Sequence, residues 1–353
     1  MSVKYSKRFL TSLPLELFIF IALAIAINGC DVNEKKEVAP TLQSRDKKPE
    51  IAKKIRTVTL LPYWVTSAQF AGYYVAEKMG FYKKHGIKLN IIPYQPFITQ
   101  TDLITEGKTD FAVLWLVNAL ELIASGTDIV NIAQLSSRSS LMLIAKKKSG
   151  IKTLKDLNGK RAGIWNGFEL QPKVLFNHYN LNVKIVPIGS TNNLFLMNGV
   201  DVINASWFDE YHSIINSGIN PDELTTFYFA DYGLNFLEDG IYCLSDKLRK
   251  EPDLCSDFIN ATLEGWIYAF NNPEKAIDII VNYAKKTNQP VNRVHQRWML
   301  DRYKDLYNFK GGTDINTSLS KKDYLFVANT LKDCRLIKQV LSFDHFYQPI
   351  RKH

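Results

Sequence analysis

The stretch TVTLLPYWVTSAQFAGYYVAEKMGFYKKHGIKLNIIP, Thr57 to Pro93, reads as a strand, a helix and a second strand. Thr57 to Tyr63 carries the β-branched and apolar residues of a strand. Ala68 to Met79 places Ala71, Val75 and Met79 on one row of a helix, and Ile87 to Pro93 is again a strand pattern. Outward from this unit the alternation continues. Asp110 to Trp115, Ile129 to Leu135 and Leu141 to Ala145 read as strands, with helical patterns at Thr99 to Glu106 and Val117 to Ala124. A second series has strands at Arg161 to Trp165, Val183 to Pro187, Asp201 to Ala205 and Thr225 to Phe229. Helices at Glu169 to His178, Asn192 to Met197 and Phe208 to Asn216 separate them. Such alternation predicts parallel sheets with crossover helices, and two series split near Lys146 to Gly150 predict two α/β lobes. After Ser245 the pattern turns helical. Phe258, Thr262, Trp266 and Phe270 recur every four residues, and Glu274 to Lys285, Val291 to Tyr307 and Lys321 to Lys332 also fit helices with a buried face.

Composition agrees with a globular chain: 353 residues, 46% hydrophobic and 22% charged, enough for about two domains. Four cysteines and six scattered histidines show no zinc spacing, so no metal site is expected. The net charge of +9 is concentrated near the start. Lys4, Lys7 and Arg8 precede the apolar run Leu17 to Ile27, which is about half the length a bilayer span requires and reads as a signal-peptide core. Ile27-Asn28-Gly29-Cys30 closes it and resembles a bacterial lipobox, with Asn28 departing from the usual small residue. Cys30 is then the acylated residue that anchors the chain outside the cytoplasm; the alternative is an uncleaved anchor. Residues 31–56 hold eight basic and five acidic side chains with no aromatic, the composition of a flexible tether. The remainder is too weakly charged to argue for nucleic acid.

Four of the six tryptophans follow directly on predicted strands: Trp64, Trp115, Trp165 and Trp207. Ligands of open α/β sheets bind beyond the carboxyl ends of strands, so these rings are candidates to line a cleft. Aromatic walls suit a flat, weakly charged ligand, with stacking worth about 0.5–1.5 kcal/mol per pair beyond burial. Gln69, Asn118, Phe168, Glu169 and Glu210 lie beside them as candidates to read its edge. Asp209 is equally explained by the dipole of the helix it precedes. Ser136-Ser137-Arg138-Ser139-Ser140 is either an anion cradle or a polar turn, and Ser136 is included among the candidate ligand residues. No nucleophile elbow, phosphate loop or His-Glu-x-x-His appears. Cys243, Cys255 and Cys334 are simplest as small hydrophobes, and a Cys243–Cys255 bridge stays open.

Trp64 with Gln69-Phe70-Ala71-Gly72-Tyr73-Tyr74-Val75-Ala76 and Gly80-Phe81-Tyr82 resembles the opening of a known family. So do Gly107-Lys108-Thr109-Asp110-Phe111, Lys155-Asp156-Leu157-Asn158-Gly159-Lys160 and the acidic run Trp207-Phe208-Asp209-Glu210-Tyr211. The family comprises solute-binding proteins of ABC importers for thiamine pyrimidine precursors, with relatives for sulfonates and nitrate. The resemblance implies an α/β, periplasmic-binding-protein-like fold: two lobes with mostly parallel sheets, a two-crossing hinge, and C-terminal helices packed on the first lobe. The expected domains are a signal peptide at 1–29, Cys30 and tether at 30–56, lobe one at 57–145, lobe two at 146–230, and a return with C-terminal helices at 231–353. An enzyme branch of the family makes the pyrimidine from a pyridoxal cofactor and a histidine, and Phe70 occupies the place where its histidine falls. The expectation is therefore no enzyme and no cofactor. The chain reads as a lipid-anchored, extracytoplasmic monomer that captures a small heteroaromatic ligand for a permease. An anion binder using Ser136, Ser137 and Arg138, or a sensor acting on a receptor kinase, is the alternative.

Overall fold

The computed structural model describes residues 54–94 and 100–350, so the signal segment, Cys30 and nearly all of the tether lie outside the described residues. The strands are β1 (Arg56–Leu61), β2 (Ile87–Ile91), β3 (Phe111–Leu114), β4 (Ile129–Gln134), β5 (Leu141–Lys146), β6 (Arg161–Trp165), β7 (Lys184–Ile188), β8 (Val202–Ser206), β9 (Leu224–Tyr228) and β10 (Gly240–Leu244). They form two five-stranded sheets, ordered β2-β1-β3-β10-β4 and β7-β6-β8-β5-β9. β3, β4 and β5 are buried along their whole length, as strands covered on both faces must be.

Four of the five strands in each sheet run the same way and one is reversed, so both sheets are mixed and mostly parallel, as expected. β1 pairs in parallel with β2 and β3, and β6 with β7 and β8. β10 runs antiparallel to β3 and β4, and β5 runs antiparallel to β8 and β9. The reversed strands are those that arrive from the other lobe. β4 leaves the first sheet and the next strand, β5, belongs to the second; β9 leaves the second and β10 returns. A strand entering from the side where the other strands end must run against them. The first crossing therefore lies at residues 135–140, ahead of the 145/146 boundary expected from sequence. The return strand β10 was not read from sequence at all.

One side chain joins the two crossings. Glu238, 1% exposed, accepts hydrogen bonds at Oε1 from Ser139 Oγ at 3.1 Å, Ser140 N at 3.0 Å and Ser140 Oγ at 3.0 Å. Its backbone carbonyl accepts from Gln134 Nε2 at 2.5 Å and from Ser136 Oγ. Asp239 beside it accepts from Tyr63 Oη at 3.0 Å. The serine run is thus hinge backbone.

The C-terminal helices return to the first lobe. The helix Pro252–Asn271 crosses the helix Ala71–Lys78 at backbone distance, because glycines face each other there. A Cβ on Gly265 would lie 2.1 Å from the Gly72 carbonyl oxygen, and one on Gly72 would lie 2.2 Å from Trp266 Cγ. Trp266 fills the space and is fully buried against Tyr303 and Tyr307. Cys243 and Cys255 are buried free thiols, and Cys334 is an exposed one.

Two predictions follow from this packing and this hinge. Gly265→Ala should cost about 1–3 kcal/mol, because the backbone it meets cannot step aside, and chemical denaturation would read the loss. Burial first, then Asp239, push the Glu238 carboxyl up to about 8 despite the serine bonds. A raised native value means stabilisation that is complete below the unfolded range near 4.5 and lost as pH rises through 8. Wild-type stability in urea should fall between about pH 5 and pH 8, whereas Glu238→Gln should give a flatter profile and be the more stable protein at pH 8.

Candidate functional site

The carboxyl ends of β1, β3, β6, β7 and β8 open on one cavity of about 780 Å³. That lies within the range of small-molecule sites. After β1 come Tyr63 and Trp64; after β3, Trp115 and then Asn118 and Glu121 on the helix Leu116–Ala124. The second lobe supplies Trp165 at the end of β6 with Asn166 and Phe168 after it, Gly189, Ser190 and Asn192 after β7, and Phe208, Asp209 and Glu210 after β8.

The aromatic residues form a connected wall. Tyr63 meets Trp115 edge-on at 5.9 Å, and Trp115 meets Phe168 at 5.3 Å across the lobes. Phe168 in turn meets Trp165 at 5.8 Å. Trp64, 41% exposed, stands at the rim against Tyr94 at 5.0 Å. Gln69 Nε2 donates to Tyr63 Oη, which itself donates to Asp239, so the cavity floor is tied to the hinge. Phe70 is fully buried, edge-on to Tyr63 at 5.3 Å.

Among the described residues, every acidic or basic side chain in this lining is a carboxylate: Glu121, Asp209 and Glu210. Glu210 Oε2 accepts from Ser206 N at 2.9 Å and Ser206 Oγ at 2.6 Å. Burial, then the adjacent Asp209, nevertheless push its carboxyl up to about 7. Burial also raises Glu121, a rise its bond to Asn118 tempers.

Seven of the ten sequence candidates come together here: Trp64, Gln69, Trp115, Asn118, Trp165, Phe168 and Glu210. Three lie elsewhere. Ser136 is bonded into the hinge. Glu169 turns back on its own loop, accepting from Gly167 N at 3.1 Å. Trp207 points away from the cavity, edge-on to Tyr228 at 5.9 Å and beneath the Arg302 guanidinium at 4.7 Å. Arg138 forms an ion pair with Asp231. Sequence reasoning missed Tyr63, Tyr94 and Glu121, along with the loop Gly189 to Asn192. Tyr63 follows β1 just as Trp64 does, so the same rule reaches it.

Residues 67–276 match the family model described as NMT1/THI5 like. The chain belongs to the NMT1/THI5-like family. It is 27% identical over 249 residues to the 4-amino-5-hydroxymethyl-2-methylpyrimidine phosphate synthase of Legionella pneumophila, covering 66% of this chain and 76% of that one. It is 24% identical to the riboflavin-binding protein RibY of Chloroflexus aurantiacus, covering 76% and 77%. Among solved structures it is similar to the periplasmic aliphatic sulphonate binding protein SsuA of Escherichia coli, with a TM-score of 0.63, 14% identity, and coverage of 84% and 93%. That likeness shows the two-lobed periplasmic-binding-protein fold. The expectation that this NMT1/THI5-like chain is no enzyme is corrected by the relatives: the Legionella protein, matched over two-thirds of the chain, is named a synthase. Phe70 in place of a histidine, no cysteine cluster beside Trp115 and an exported location were too narrow a ground for that expectation, since missing one set of residues does not exhaust the chemistry a cavity can hold.

Proposed function

We propose that the protein captures a small, flat, heteroaromatic molecule, neutral or cationic, by closing its lobes around it. In this reading it works outside the cytoplasm, anchored through acylated Cys30, and hands the ligand to an ABC permease. The observation that carries the reading is the pairing of an aromatic wall with carboxylates as the lining's only acidic or basic side chains among the described residues. An anion placed there would be buried beside like charge without a cation. A ring bearing amino or ring N–H groups would instead donate to Glu210 and Asp209. The two named relatives support a heteroaromatic ligand, a pyrimidine in one and riboflavin in the other. The serine run offers the anion alternative little, since its hydroxyls are bonded to Glu238 and to the Leu306 carbonyl and Arg138 is paired with Asp231. No helix among the described residues is long and apolar enough to cross a membrane.

Thermal shift against an aminopyrimidine, its phosphate, riboflavin, an alkanesulfonate and nitrate tests the ligand class. An unphosphorylated heterocycle should raise the melting temperature, because it binds the native state alone. Trp115→Ala should weaken that ligand about ten- to a hundred-fold in calorimetry, through a lost stacking face and an apolar gap. Stabilisation by nitrate or sulfonate, with no response to the heterocycles, would overturn the reading. Mass spectrometry of the released ligand adds the second reading, for a chemically altered heterocycle would assign pyrimidine chemistry to the same cavity. Cys30→Ser should move the protein from the membrane to the soluble fraction; retention at the membrane would make the leader an uncleaved anchor.

A further inference from the structure

Beside the cavity the second lobe touches the helix Arg293–Leu306, which packs on the first lobe. His212 Nδ1 lies 2.7 Å from His295 Nδ1, with ring centroids 5.0 Å apart and planes at 27°. That near-coplanar, edge-to-edge arrangement is the geometry of an N–H···N bond. His295 Nε2 lies 3.0 Å from Asp209 Oδ1, and the His295 backbone N–H is held by the Asn292 side chain at 3.0 Å. His212 also stacks on Trp298 at 4.8 Å and 15°, and Trp298 Nε1 donates to the Trp207 carbonyl at 3.1 Å.

We propose that the His212–His295 bond is a proton-operated latch holding the lobes closed over the cavity. Two imidazoles joined Nδ1 to Nδ1 share one hydrogen, so one of the facing nitrogens must be bare. When both rings carry both protons, two N–H groups and two positive charges oppose each other, and the contact turns from attraction to repulsion. The latch reports to the ligand cavity because Asp209, its acceptor, is also in the lining and sits next to Glu210.

The charges around the pair are accounted for on both sides. Asp209 and Glu210 come from the second lobe. Arg302 lies over Trp207 and Trp298 and is held by Asp305, while Arg297 is held by Glu274 and Asp301. Asn216 Nδ2 lies 3.0 Å from His212 Nδ1. Burial first and His295 second lower the His212 pKa, with Asp209 opposing. A lowered value in the closed form means closure is favoured above the ordinary histidine value of about 6.5 and lost as pH falls below it.

This inference goes beyond the ligand reading, and its test needs no ligand, so the two can fail separately. Small-angle scattering from the purified, ligand-free full chain should show the radius of gyration rising reversibly as pH is lowered from about 8 to about 5, with a midpoint below about 6.5. Far-ultraviolet circular dichroism should stay constant over the same range. His212→Gln and His295→Gln, which keep a hydrogen-bonding side chain without the imidazole, should each abolish the pH dependence. A wild-type radius that does not change with pH would overturn the latch. So would an undiminished expansion in His212→Gln, or an expansion that accompanies loss of helical signal.

Discussion

Glu238 accepts hydrogen bonds from Gln134, Ser136, Ser139 and Ser140, and through them it fixes where the chain passes between lobes. Each crossing carries backbone and hydroxyl groups through a buried region where no sheet neighbour is at hand, and unpaired groups there are costly. Placing one acceptor-rich residue between both segments meets that demand once for the pair. The topology depends on it. Because β4 and β9 must turn over at this point, β5 and β10 enter the opposite sheets reversed and lie one strand in from an edge. The remaining strands then end facing one another, and the cavity lies between their ends.

Local pattern carried most of the fold. β6 falls on the residues its periodicity marks, and the strands from β1 to β9 are within about two residues of their expected ends. What pattern could not supply was destination. Leu141–Lys146 reads as a strand in any sheet, and only the crossing assigns it to the second. Gly240–Leu244 is short, begins with glycine and follows a polar bend, so nothing local marks a strand. It is held by two long-range neighbours instead. The glycine contact between Gly72 and Gly265 was equally silent, since small residues mark close approach only once the partner helix is known.

The site shows the same division. The rule that cavities form beyond strand ends leads to Trp64, Trp115 and Trp165 in the cavity lining, because each sits at or just past the carboxyl end of a strand. It failed at Trp207 through phase. The helix after β8 begins at Glu210, and the intervening turn sends Phe208, Asp209 and Glu210 inward while Trp207 faces Tyr228 and Arg302. A residue one position along a turn changes sides, much as a register slip inverts a strand. Asp209, which the helix dipole alone could explain, combines both lives: it lines the cavity and binds His295 of the other lobe.

A shared fold leaves ligand charge open, and the side chains of the cavity are what bear on it. The sulphonate-binding neighbour has the same two lobes, yet the described lining of this cavity places three carboxylates and no cation around its rings. Glu210 adds a further constraint. A carboxyl pushed up to about 7 is committed to neither role near neutrality: ionised, it accepts from a ring N–H or amino group, and protonated, it donates to a ring nitrogen. Heteroaromatic rings that set an amino group beside a ring nitrogen present both partners at once. A ligand that donates would draw the group toward its ionised form and bind more tightly as pH rises, whereas one that only accepts would do the reverse. The chemistry of the ligand edge is therefore written in the sign of its proton linkage, apart from any contribution of ring stacking, which has no charge to titrate.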